Sequence, residues 1–433
     1  MNIAEAAREV RHAVVAYLAK DEAGRPLVPR EMQRPLLIMG PPGIGKTAVC
    51  RQAAAELHVN FCAYAMTHHT RQSAIGLPFI DEATFGGEAH KVSRYTMSEI
   101  VAAAHDSVAA SGVAEGILFL DEVNCVSETL APAMLQFLQF KTFGTHALPD
   151  GWVVVCAANP RQYNAAARDF DAATLDRLRL IEVEPDLASW MAYATDAGVH
   201  PAVVGYLERR PEHFYVMRQD LDGTRMVTAR GWDDLARAIG AYQAAGLPVG
   251  KRLVAQYLRD DDVVLDFSRH LELVCTYEEA YRTREIVDGQ MLPASLARAR
   301  QAAVDERLQV VALLAHHVLA HARTAFALEE GLRRDHDRIA ARHPVADNVR
   351  AGHNERVRSA EATGRAVLLG VEAAFAFVDA AWPAGEEAMV LAARLTDDAC
   401  LMHLAATYGS DALVAHAGAL RFSERAHELI GRL

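Results

Sequence analysis

The chain has 433 residues, 51% of them apolar and 23% charged. That length exceeds a single hydrophobic core and implies about three structural units, while the composition excludes a mainly disordered, collagenous or fibrous chain. Lys and Arg total 44 against 56 Asp and Glu, a formal charge of −12, so the overall field repels polyanions unless basic residues gather locally.

Residues 1–29 read as an N-terminal helix and linker. Glu5, Arg8, Glu9 and Arg11 stand where a signal peptide needs a basic end followed by an apolar core, so export is not expected. The first chemistry follows. The apolar run Leu36 to Met39 predicts a buried strand, Gly40-Pro41-Pro42-Gly43-Ile44-Gly45-Lys46-Thr47 a loop, and Thr47 to Leu57 a helix. Strand, glycine loop and helix in this order form a phosphate cradle: the glycines turn backbone N–H groups inward, and the helix adds its positive dipole end. The cradle runs from Gly40 through Ala48, with Lys46 expected on the β- and γ-phosphates and Thr47 on Mg²⁺.

The segment between Lys46 and Asp121 is longer than a minimal strand–helix path requires, so an insertion is expected around Gly76-Leu77-Pro78-Phe79 and Thr84-Phe85-Gly86-Gly87. Gly116 to Leu120 is a fully apolar strand ending in Asp121-Glu122. Ligands of open α/β sheets bind beyond the carboxyl ends of strands, which places Asp121 to hold Mg²⁺ and Glu122 to polarise an attacking water. Lys141 to Gly151 has the turn residues of a hairpin. It and the earlier insertion are candidates to project from the core, through Phe79, Phe85 and Phe143, or else are ordinary surface loops. The strand Trp152 to Ala158 ends at Asn159, whose amide can face the same crevice or simply begin the turn with Pro160. Thr174 to Leu178 reads as a helix end feeding the strand Leu180 to Val183, putting Arg177 near the same sheet edge as the other sites.

From Pro185 the pattern reads as wholly helical, with helices expected near Leu187–Thr195, Pro201–Arg209, Thr228–Ala245 and Arg252–Ala280. Arg230 lies in a first helical turn, where a cation is disfavoured unless an anion is near. Beyond Gly289 the chain is Ala- and Leu-rich with amphipathic spacing and names no chemistry. Ala366 to Trp382, the most apolar long stretch, carries Glu372 and Asp379 and is expected to be a buried helix and not a membrane span. His317 and His321 lack the Glu of a zinc-binding H-E-x-x-H pair, and Arg333, Arg334, Arg338 and Arg342 alternate with acids as on a salt-bridged helix face. The six cysteines, Cys50, Cys62, Cys125, Cys156, Cys275 and Cys400, form no C-x-x-C pair and suit a reducing cytoplasm.

In this order the motifs resemble those of the AAA+ ATPases, and within them the MoxR-type branch. The resemblance rests on GPPGIGKT as Walker A, ILFLDEVN as Walker B, Asn159 as sensor 1, Arg177 as the arginine finger and Arg230 as sensor 2. It implies an α/β P-loop core with a parallel sheet over residues 30–185, an all-α lid over 186–290 and an all-α extension over 291–433. It further implies Mg²⁺-dependent hydrolysis of ATP, a homo-oligomeric and usually hexameric ring, and a protein partner, commonly one with a metal-binding von Willebrand factor A domain. The contrasting expectation on the same fold is a nucleic-acid motor or restriction-type NTPase; the charge of −12 opposes it.

Overall fold

Among the described residues, nine strands lie in the first 185 residues and two in the helical region that follows. In chain order they are β1 (Leu36–Met39), β2 (Asn60–Ala65), β3 (Pro78–Phe85), β4 (Glu88–Tyr95), β5 (Gly116–Asp121), β6 (Thr142–Phe143), β7 (His146–Ala147), β8 (Trp152–Ala158), β9 (Arg179–Glu182), β10 (Val216–Asp220) and β11 (Gly223–Val227). The structure, a computed structural model, describes residues 1–68, 71–143, 145–220, 223–340, 347–383 and 385–420. It divides into two compact units, Met1–Ser189 with Thr228–Arg230, and Trp190–Val227 with Gly231–Leu433.

The first unit is built on a five-stranded sheet ordered β2-β5-β8-β1-β9, parallel throughout. Helices cover both faces of such a sheet, which is why its central strands are apolar without alternation. Every residue of β8 is buried, as are Gly116 to Leu120 of β5. One face packs Leu37, Leu118, Leu120, Val154 and Cys156 against Ile100, Val101 and Ala104 of the helix Glu99–Ser111 and Phe137 of the helix Ala131–Phe140. This is the α/β P-loop arrangement that the motifs predict, with β1, β5 and β8 side by side and their carboxyl ends together.

Register explains one glycine. Gly116 pairs with Trp152, and a Cβ on Gly116 would lie 2.6–2.8 Å from three atoms of the buried Trp152 ring. Gly116→Ala is expected to destabilise the unit by about 1–3 kcal/mol through overpacking. A wild-type midpoint in urea would remove that steric account.

The insertion between Lys46 and Asp121 is the antiparallel hairpin β3–β4, which leaves Phe79, Ile80 and Phe85 exposed. The second expected hairpin is β6–β7, but Phe143 does not project from it. Phe143 is 2% exposed and stacks on Phe137 with ring centroids 4.1 Å apart, so its apolar area is spent in the core.

The second unit is mainly helical. The stretch expected to be wholly helical contains the antiparallel hairpin β10–β11, whose Val216 and Val227 ends are buried. The helix expected over Arg252–Ala280 is two, Lys251–Tyr257 and Asp261–Tyr281, because the Asp260 carboxylate accepts the N–H groups of Asp262 and Val263 and starts a new helix. Long helices Val304–Ala340 and Asp347–Ala381 follow, then Glu387–Thr396, Ala399–Tyr408 and Asp411–Leu420. One core joins Tyr281, Ile286 and Val287 to Val310, Leu314, Phe375 and Leu404, and so spans the expected boundary at residue 290. Val304–Arg333 is long and apolar enough to cross a membrane, yet 61% of its apolar window is buried inside this unit, as in a core helix. Within Asp347–Ala381, Glu372 and Asp379 face outward from a buried apolar side.

His317 meets Glu278 at 3.1 Å, and no group of three metal-ligating side chains occurs among the described residues. Arg333 pairs with Glu330. The side chains of Arg334 and Arg338, and all of Arg342, lie outside the described residues.

Burial pushes the imidazoles of His200 and His316 below the ordinary value of 6.5, and that of His270 down to about 4. Below pH 6.5 the unfolded chain therefore takes up protons that the folded unit refuses, so stability falls with pH, by up to about 1.4 kcal/mol per pH unit for each histidine. Above 6.5 the three are neutral in both states and contribute no slope. Denaturation midpoints measured from pH 7.5 to 5 are expected to be flat and then fall, and His316→Asn to flatten the fall; a midpoint that rises on acidification contradicts this.

Candidate nucleotide site

The helix Lys46–Glu56 begins directly at the end of the loop, with Gly45 left-handed at φ 99°. Its buried residues Lys46, Cys50, Ala53 and Ala54 fall on one stripe against the sheet, which fixes the helix and leaves its first-turn N–H groups open. Gly43, at φ 75°, needs its glycine twice over: the backbone is left-handed, and a Cβ would meet Thr228 Cβ and Oγ1 at 2.8 Å. A Cβ on Gly40 would stand 2.6 Å from the Val183 carbonyl oxygen. The loop is therefore packed by Val183, the residue after β9, on one side and by Thr228 on another.

Lys46 is 8% exposed, and its Nζ donates to the carbonyls of Gly40 (2.8 Å) and Pro41 (2.9 Å) and to Asn159 Oδ1 (2.8 Å). Burial brings its ammonium down to about 8; Asp121 and Glu122 pull the other way, and Arg230 adds to the lowering. A lysine so desolvated and held by neutral carbonyls gains from an anion placed beside it. Thr47 Oγ1 donates to Asp121 Oδ2 at 3.2 Å. Hydroxyl and carboxylate thus stand together as an all-oxygen donor pair, the chemistry that suits Mg²⁺. The glycine cradle, the buried lysine and this pair fit a Mg²⁺–nucleotide.

Glu122 is left-handed, φ 57° and ψ 37°, a conformation that costs a non-glycine residue roughly 1–3 kcal/mol. The turn separates its side chain from that of Asp121 at the end of one strand. The Thr67 hydroxyl, just past β2, donates to Glu122 Oε2 at 2.8 Å. Asn124, two residues on, is 5% exposed and donates its amide to the Asn159 carbonyl at 2.8 Å. Neither Thr67 nor Asn124 emerges from motif reading, although Asn124 closes the ILFLDEVN run.

The two arginines part company. Arg230 opens the helix Ala229–Ala244, and its N–H donates to the Gly43 carbonyl at 2.9 Å, so it belongs to the phosphate loop's surroundings. Arg177 does not share the site's edge of the sheet. It caps the short helix Ala172–Asp176 and enters β9 at the amino end, where Arg179 pairs with Leu36, while Glu182 at the far end pairs with Met39 next to the loop. Parallel strands fix this: a residue before β9 and a loop after β1 lie at opposite ends. Arg177 is exposed, donates to the Ala173 carbonyl, and lines a cleft of about 400 Å³ with Gln136, Gln139, Phe140 and Asp171.

A phosphate loop, an adjacent pair of carboxylates and a polar amide at the carboxyl ends of neighbouring parallel strands define a P-loop nucleoside triphosphatase. Residues 36–181 match the family described as ATPase family associated with various cellular activities (AAA), so the chain carries an AAA domain, which supports an ATPase of the AAA+ type. No curated protein matches the chain.

Proposed function

We propose that this AAA+ ATPase works as a homo-oligomeric ring in which each site is completed by the neighbouring subunit, and that the ring remodels or assembles a protein client, as the MoxR-type resemblance implies. The observation that carries the reading is the separation within one subunit of Arg177 from Lys46, Asp121 and Glu122 at opposite ends of the sheet. An exposed arginine so placed serves the site of the next subunit, and six such interfaces close the expected hexamer. Thr47 and Asp121 would hold Mg²⁺, which would supply charge neutralisation on the phosphates. Lys46 leaves the Gly40 and Pro41 carbonyls for phosphate oxygens, Glu122 accepts a proton from the attacking water, and Asn159 orients that water or the terminal phosphate. Arg230, bonded to Gly43 through its backbone, is the sensor 2 cation on the subunit's own loop.

The hairpin β3–β4, with Phe79, Ile80 and Phe85 exposed, offers an apolar contact for a polypeptide, and the charge of −12 favours a protein over a nucleic acid. A cytoplasmic setting and a partner with a von Willebrand factor A domain complete the reading. Turnover measured with and without DNA or RNA tests it. Rates unchanged by nucleic acid are expected; strong stimulation replaces the protein client with the nucleic-acid motor. Affinity capture on a Glu122→Gln chain in ATP then identifies the partner.

A further inference from the structure

We infer that Asn124 is a positioning residue for hydrolysis, tying the turn that carries Glu122 to the backbone of Asn159; the inference rests on the ATPase reading above. Asn124 sits in the single turn Val123–Cys125, which Cys125 N closes by donating to the Glu122 carbonyl at 2.9 Å. Its amide nitrogen faces two carbonyl oxygens, of Asn159 at 2.8 Å and of Arg168 at 3.4 Å, and the Asn124 backbone carbonyl accepts from Arg168 N at 3.0 Å. Two acceptors on one side settle which end of the amide points there, since the side-chain oxygen would be repelled by both.

The consequence reaches the phosphate lysine. With its carbonyl held, Asn159 presents Oδ1 to Lys46 Nζ at 2.8 Å. Asn124 therefore joins three segments that chemistry must align: the Glu122 turn, the end of β8 and the phosphate loop. It touches no nucleotide position itself, so its removal should disturb alignment more than affinity. Misplacement of reacting groups by about 1 Å costs on the order of 10²-fold in rate.

Asn124→Asp keeps size and shape, removes both donors and sets an oxygen against two carbonyls. The assembled protein carrying it is expected to lose turnover by on the order of 10²-fold, with the dissociation constant of a fluorescent ATP analogue held near the wild-type value. Asn124→His returns one N–H donor and is expected to recover part of the rate; it carries the same comparison where the Asp variant does not fold. Wild-type turnover in a folded Asp variant, parallel loss of affinity and rate, or a His variant no faster than Asp each overturns the positioning role. Glu122→Gln is run alongside. If the wild-type protein releases no phosphate from ATP the ATPase reading itself has failed, and if Glu122→Gln hydrolyses ATP normally Glu122 is not the base that Asn124 is said to position, whereas a dead Glu122→Gln beside an unaffected Asn124→Asp sinks only this inference.

Discussion

Glu122→Gln is expected to lower ATP turnover by about 10²–10⁴-fold, the usual worth of a positioned general base, while ATP remains bound. The substitution is isosteric, and the amide oxygen of glutamine can still accept the Thr67 hydroxyl that now lies 2.8 Å from Glu122 Oε2. The left-handed backbone at this position makes no demand that Glu meets and Gln does not. What changes is basicity: an amide cannot take a proton from water. Lys46, Thr47 and Asp121 are untouched, so the phosphate cradle and its oxygen donors persist. Phosphate release together with retention of labelled ATP after gel filtration reads both halves. Normal release removes Glu122 as the base and leaves its strained turn without a catalytic purpose.

The core was legible because its strands are buried on both faces. Leu36 to Met39, Gly116 to Leu120 and Trp152 to Ala158 are continuous apolar runs bounded by turn residues, and the residue after each run had to stand at a carboxyl end of the sheet. That logic placed Gly40, Asp121 and Asn159 together. Arg177 departs from its expected place because that logic was not applied to it: it precedes its strand, and a parallel strand carries it to the other end. Phe143 looked like a loop aromatic because burial against Phe137 depends on a helix that the local pattern does not locate. Thr67 was illegible for another reason. A hydroxyl in a short turn after β2 becomes informative only once β2 is seen to lie beside β5, a pairing between segments far apart in sequence.

Arg177→Ala is expected to leave nucleotide affinity almost unchanged and to reduce turnover by about 10³–10⁵-fold, the range for an arginine supplied in trans. Within its own subunit Arg177 has no route to the phosphates: it precedes β9, folds back to the Ala173 carbonyl and faces outward beside Gln136, Gln139 and Phe140. A cation at a helix C-terminus also stabilises that helix by roughly 0.3–1 kcal/mol, so loss of activity alone would not separate a catalytic role from a structural one. Mixing does. Arg177→Ala subunits keep Glu122, and Glu122→Gln subunits keep Arg177, so each preparation alone lacks one group at every interface. In mixed rings an Arg177→Ala subunit can receive the arginine of a Glu122→Gln neighbour and recover a complete site. Activity regained on mixing two inert preparations requires donation between subunits. Mixed rings that stay inert place Arg177 outside the chemistry and return it to capping its own helix.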